Sequence, residues 1–203
     1  MLALRAIVVG FLVSTVGCLF YWHYYNMLFI LINLATFYDI IYLFKTGINS
    51  MVVLILFMFM VSINGRLYYL NYYDQSSVIS IIIITQLSDI YQYIVGYFIG
   101  RNKIGTISKN KTYEGYLGGI VLTYLTFIWF YKSIDILVIY ALGIIGGLLS
   151  SFFKRKLGIK DYSNLLGPHG GWIDRTDSII LPSIFFTFII SRLNYIQFLI
   201  TLL

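Results

Sequence analysis

The sequence predicts an all-α, polytopic integral membrane protein of about seven transmembrane helices, within a range of six to eight, with its N-terminus in the cytosol. Three observations predict it. Hydrophobic residues make up 60% of the 203 and charged residues only 11%, against roughly 25% charged in an average soluble domain, so too little polar surface exists to cover a globule in water. The apolar runs are uninterrupted and helix-length, whereas a membrane β-barrel would alternate over segments of about ten residues. Lys and Arg fall unevenly between the runs, in the bias that orients membrane helices.

Taken in order, a window of about 19 residues places spans at Ala6–Trp22, Met27–Phe44, Met51–Leu70, Val78–Ile99, Tyr116–Tyr131, Ile134–Phe153 and Ser178–Ile190. The first follows Arg5 as a signal peptide would. It lacks a small-residue cleavage site and ends in the aromatic belt Trp22-His23-Tyr24-Tyr25, so it reads as a retained span. Tyr195–Leu203 is too short to cross alone and either extends the last helix past Arg192 or lies along the interface. The single Cys18 excludes an intramolecular disulfide and reads as a small core hydrophobe. The chain divides into N-terminal helices over 1–76 and a C-terminal region, 77–203, that carries the candidate chemistry.

With a cytosolic N-terminus, Arg5, Lys45, Arg101, Lys103, Lys109, Lys111, Lys154, Arg155, Lys156, Lys160 and Arg175 face the cytosol, eleven of the fourteen Lys and Arg, and only Arg66, Lys132 and Arg192 lie outside. Both charged loops, Arg101–Glu114 and Lys154–Asp177, then lie on one face and can meet. Basic loops also serve topology and attraction to anionic headgroups, at about 1 kcal/mol per Lys or Arg. Here the acids cluster as well: Asp89, Glu114, Asp161, Asp174 and Asp177 fall in or beside the same loops. Asp89 sits midway along an apolar span, where an ionised carboxylate costs about 2.5 to 3.5 kcal/mol and needs protein or water beside it. Asp89, Tyr93, Gly96 and Gly100 share one stripe of that helix, either lining a site or packing against a neighbour. Asp39, in a Tyr-rich stretch with Lys45 nearby, reads as structural.

The 27 residues from Ser151 to Asp177 hold five basic and three acidic side chains together with His169. Asp174 and Asp177 are three apart, so a helix beginning near Ile173 would project both from its first turn, where they can hold a divalent cation. Hard oxygen ligands with positions left for phosphate suit Mg²⁺, and one His without a cysteine cluster argues against zinc. Gly170 and Gly171 would let backbone amides approach a phosphate at the helix start. Lys154, Arg155 and Lys160 would neutralise a triphosphate or a lipid headgroup.

In order, Ser151, Lys154-Arg155, Lys160-Asp161, Ser163, His169-Gly170-Gly171, Asp174-Arg175 and Asp177 resemble the signature of the phosphatidate cytidylyltransferase (CDP-diacylglycerol synthase) family. A second match lies upstream. Asp89, Tyr93, Gly96, Gly100-Arg101, Lys103, Ser108, Lys111-Thr112, Glu114-Gly115 and Gly118-Gly119 resemble the family's Asp-led helix, Ser-Pro-x-Lys-Thr loop and Gly-rich helix. The resemblance runs from about residue 85 to 190, and the chain is shorter than typical members.

The resemblance implies transfer of a cytidylyl group from CTP to phosphatidate, giving CDP-diacylglycerol and pyrophosphate, with Mg²⁺ held by Asp174 and Asp177. It implies that Lys154, Arg155, Lys160 and Arg175 stabilise the triphosphate, that Lys111 contacts a phosphate-bearing substrate, and that Ser151 orients a ligand or metal-bound water. His169 reads as a hydrogen-bond donor to phosphate or as a packing histidine. Asp161 stands in the signature, and Asp89, Tyr93, Ser108 and Thr112 belong to the substrate side. Departures accompany the match: the family's Gly-Asp pair reads Gly146-Gly147, the acid expected near Ser150 is absent, Pro-Gly is reversed to Gly167-Pro168, Trp172 replaces an aliphatic residue and Lys109 a proline. Losing a carboxylate weakens a metal centre unless Asp89 or Asp161 substitutes. The alternatives are a catalytically impaired lipid- or nucleotide-binding relative, or a CTP-using membrane enzyme of the polyprenol kinase or CDP-archaeol synthase type. Expected partners are CTP, phosphatidate and membrane lipids, with no nucleic acid. The glycine faces Gly115-Gly118-Gly119 and Gly143-Gly146-Gly147 suit a homodimer or internal helix packing equally.

Overall fold

The computed structural model describes residues 25–105, 108, 111–167 and 170–201. The span Ala6–Trp22, Arg5, Cys18, Lys109 and His169 lie outside them. The described residues form six helices and no strand: α1 Tyr25–Lys45, α2 Ser50–Tyr73, α3 Gln75–Phe98, α4 Tyr113–Phe127, α5 Ser133–Lys156 and α6 Ile173–Thr201. The all-α expectation holds, and each described span falls on a helix. Tyr195–Leu203, left open between two readings, continues α6 as helix as far as Thr201.

Local chemistry sets the boundaries. The Asn49 side chain accepts the Met51 N–H at 2.9 Å, capping the start of α2. Asp74 alone separates α2 from α3, and its carboxylate accepts the Ser77 N–H at 3.2 Å and the Ser76 hydroxyl at 2.6 Å. Thr112 caps α4 by accepting the Gly115 N–H at 3.1 Å. Lys154, Arg155 and Lys156 fill the last turn of α5, where the helix dipole favours cations. Pro182 lies inside α6 and cannot donate to the carbonyl one turn back.

Among the described residues three helices, α2, α3 and α5, each 24 residues, are long and apolar enough to cross a bilayer. Met51, Ile55 and Met58 on α2 are more than 60% exposed, a surface that lipid tolerates and water does not. The most exposed aromatics, Tyr72, Tyr97, Phe98, Trp129 and Phe130, gather at helix ends, where aromatic rings settle at the membrane–water boundary. The chain is a membrane protein.

Two compact units divide the chain. One comprises α1, α2 as far as Gly65, and the segment 157–176. Its core includes Ile40, Leu43, Val53, Met60 and Ile63, and Asn64 donates to Asn33 at 3.1 Å inside it. The other unit comprises 66–156 and 177–203, with Ile81, Ile84, Ile136 and Ile139 buried in its core. Glycines set its helix spacing: a Cβ at Gly118 would run into Val95, one at Gly119 would lie 2.7 Å from Gln92 Cγ, and one at Gly146 2.7 Å from the Asp177 carbonyl oxygen. Both glycine faces are therefore engaged in packing within the chain.

Candidate active site

In the second unit, the segment between α3 and α4 returns on itself. The Ile104 N–H donates to the Lys111 carbonyl at 3.0 Å and the Tyr113 N–H to the Asn102 carbonyl at 3.0 Å. Glu114, in the first turn of α4, receives the N–H groups of Arg101 and Asn102 at 3.2 Å and the Asn102 side-chain amide at 2.7 Å. Its carboxyl sits below the ordinary carboxylate range, held there chiefly by backbone N–H donors, its own first, against slight desolvation. Thr112 packs into the groove left by Gly96 and Gly100, because a Cβ at either glycine would come within 3.0 Å of its hydroxyl.

This fold of the loop carries Lys111 back onto α3. Its Nζ lies 3.2 Å from Asp89 Oδ1 and 3.3 Å from Gln92 Oε1, and 5.4 Å from the centre of the Tyr116 ring. Burial works against the ammonium, but Asp89, Tyr116 and Asp177 outweigh it and hold the lysine pKa above its ordinary value. On α5, Lys154 is buried at 8% exposure. Asp177 stands just before the apolar run that opens at Ser178. Desolvation pushes its carboxyl up to about 6, Lys154 and Lys111 pull the other way, and Asp89 adds to the rise. Asp89, Lys111, Lys154 and Asp177 thus form one interacting group of two carboxylates and two ammoniums. A Cβ at Gly147 would lie 3.9 Å from Lys111 Nζ, so the glycine that replaces the expected carboxylate faces this group.

In the first unit, the segment leading into α6 is tied by carboxylates. Asp174 Oδ2 accepts the Tyr162 N–H at 2.8 Å and the Gly171 N–H at 2.9 Å. Asp39, read from the sequence as structural, accepts the Ser163 hydroxyl at 2.6 Å and the Ile173 N–H at 2.8 Å. Gly170 adopts φ 81°, a conformation open to glycine, and its N–H donates to the Gly167 carbonyl. The amides expected to meet phosphate are thus engaged inside the loop, and the two glycines act through backbone shape. Lys160 and Asp161 are exposed and line an open recess of about 290 Å³ with Tyr42, Thr46, Asn164 and Gly167.

The structure leaves other expected residues apart. Tyr93 is 71% exposed and stacks on Tyr97 at 6.3 Å, away from Asp89 and Lys111. Arg155 and Arg175 are exposed, Ser151 is half-buried, and Ser108 enters through its carbonyl, which accepts the Lys111 N–H at 3.2 Å. Sequence reasoning passed over Gln92, Tyr116 and Tyr140 as site residues. Gln92 sits three residues after Asp89 on the same helical face, which is the signal that would have found it. Tyr140 donates its hydroxyl to the Tyr116 carbonyl across α5 and α4, a pairing that no spacing in the sequence announces.

Apolar helices carrying paired lysines and carboxylates define a membrane protein with a charged site. The chain belongs to the cytidylyltransferase family, whose profile matches residues 1–193. It is 34% identical over 104 residues to a phosphatidate cytidylyltransferase of Aquifex aeolicus, covering 48% of this chain and 40% of that protein. Proteins of the same name from Staphylococcus haemolyticus and Staphylococcus aureus (strain COL) are 36% and 37% identical over 114 residues, covering 49% of this chain and 44% of each. The matched stretch spans less than half the length of these curated relatives.

Proposed function

We propose that the chain transfers a cytidylyl group from CTP to phosphatidate, the substrate named by its relatives, releasing pyrophosphate. A phosphate oxygen of the lipid attacks the α-phosphorus of CTP, a new P–O bond forms, and the bond to the β-phosphate oxygen breaks with its electron pair going to pyrophosphate. No protein nucleophile enters. The observation that carries this reading is the meeting of Lys111 and Asp89 from one family pattern with Lys154 and Asp177 from the other. The two ammoniums hold phosphate oxygens and offset the charge that grows on the leaving group. Lys160 and Arg175, expected from the sequence to stabilise the triphosphate, are exposed cations.

The donor set fits Mg²⁺, because a desolvated Asp177 beside Asp89 gains from a hard dication, and phosphate oxygens and water complete such a shell. Asp177 would hold the ion with Asp89 beside it; Asp174, the other acid expected from the sequence to bind the metal, accepts the Tyr162 and Gly171 amides within its own loop. When bound, Mg²⁺ supplies charge neutralisation on the transferred and departing phosphates. In this reading the chain is multi-pass, with the N-terminus and both charged loops in the cytosol, as the distribution of its lysines and arginines supports.

Purified protein incubated with CTP, Mg²⁺ and phosphatidate should yield CDP-diacylglycerol, and Asp177→Ala should reduce it to background. No product above that control would end the proposal. Product formed only with another lipid phosphate or alcohol would replace the substrate.

A further inference from the structure

Asp39 lies in the interior of α1, flanked by apolar residues, and is fully buried at 0% exposure. A carboxylate in such a place requires donors, and both come from far along the chain. Oδ1 receives the Ser163 hydroxyl, 124 positions away, and Oδ2 the Ile173 N–H, 134 positions away. Ile173 opens α6, so its N–H is one of the helix-start donors that no intrahelical carbonyl can satisfy. The fit excludes a side chain at Gly171, whose Cβ would lie 2.6 Å from Asp39 Oδ2 and 2.8 Å from Ser163 Oγ. Ser163 Oγ also accepts the Leu165 N–H at 3.1 Å.

We propose that Asp39 is a positioning residue for the candidate active site, fixing the segment 160–173, and through it Lys160, Asp161 and Asp174, by its bonds to Ser163 and the Ile173 amide. α1 thereby supplies the buried acceptor that shapes the signature loop. The kinetic part of this inference rests on the proposed cytidylyl transfer. The structural part does not.

The test compares full-length wild type with Asp39→Asn, Asp39→Ala, Ser163→Ala and the Asp39→Ala/Ser163→Ala double variant. In Asp39→Ala, backbone hydrogen exchange should quicken over 160–173 while α3 keeps its protection, and kcat/KM should fall about 10- to 100-fold, as when a group orienting catalytic residues is removed. Asp39→Asn keeps one acceptor and should recover part of both. The double variant should lose less than the sum of the two single losses, because the singles share the Ser163–Asp39 bond while each also removes one bond of its own. Wild-type exchange over 160–173 in Asp39→Ala, or equal loosening of α3 in both Asp39 variants, would overturn the inference. If Asp39→Ala does not fold, Asp39→Asn and Ser163→Ala decide by the same two readouts. If wild type makes no CDP-lipid, the functional reading fails, and the exchange comparison still decides whether Asp39 holds the loop.

Discussion

Asp177 carries a carboxyl pushed up to about 6 by desolvation, and linkage gives the sign of the consequence. A carboxyl with a higher pKa in the fold than in the unfolded chain binds its proton more tightly when folded. Its contribution to stability is complete below the ordinary value of 3.8 and is lost as pH rises through about 6. In metal-free protein the thermal midpoint of wild type should therefore fall across that window relative to Asp177→Asn, which has no such titration. Parallel profiles would show that Asp177 titrates as an ordinary acid. Gly147 offers a second test at this scale. A Cβ there would have only Lys111 Nζ within 4 Å, so Gly147→Asp starts a carboxylate side chain toward the charged group. The Mg²⁺ concentration giving half-maximal product formation should drop, and an unchanged Mg²⁺ titration would separate position 147 from metal binding.

Among the elements, α3 depends on its cap. Asp74 is the single residue between two 24-residue helices, and it gathers one N–H and two hydroxyls. Partial burial raises its pKa, but these bonds from Ser76 and Ser77 outweigh burial and hold the carboxyl below the usual range. Asp74→Ala should cost about 1 kcal/mol of stability, typical of a lost N-cap, read from the unfolding midpoint in detergent. Two glycines make a matched contrast. Gly118→Ala drives a methyl into Val95 and should destabilise by about 1–3 kcal/mol. Gly65, in α2, has nothing within 4 Å of an added Cβ, so Gly65→Ala should be neutral or stabilise by up to about 1 kcal/mol through helix propensity alone. Equal effects at the two positions would contradict the close approach of α3 and α4.

For the whole molecule, the expected topology puts Lys111 and Asp174 on one face of the membrane. In a Cys18→Ser background, an impermeant thiol reagent should label Lys111→Cys and Asp174→Cys from the same side, and labelling from opposite sides would refute it. The helices were legible in the sequence because uninterrupted apolar runs mark them, and α1 to α6 lie where those runs are; of these, α2, α3 and α5 also have the length and apolarity to cross a bilayer. Of the candidate site, Asp89, Lys111, Lys154 and Asp177 were legible through motif order. Side-chain direction was not. Tyr93 shares a sequence stripe with Asp89 yet faces outward, because helical spacing alone does not say how wide the buried stripe is. Asp39 was passed over as a site residue because its donors lie more than 120 positions away, beyond any local pattern. Pro182 has a consequence for motion. The turn behind it lacks one backbone bond, and Gly143 lets α5 approach the Ser178 carbonyl closely there, since an added Cβ would stand only 3.5 Å from that oxygen. Bending α6 at this turn sacrifices no bond from position 182 and is softer than bending a proline-free helix, so the rod has a natural pivot just over one turn beyond Asp177.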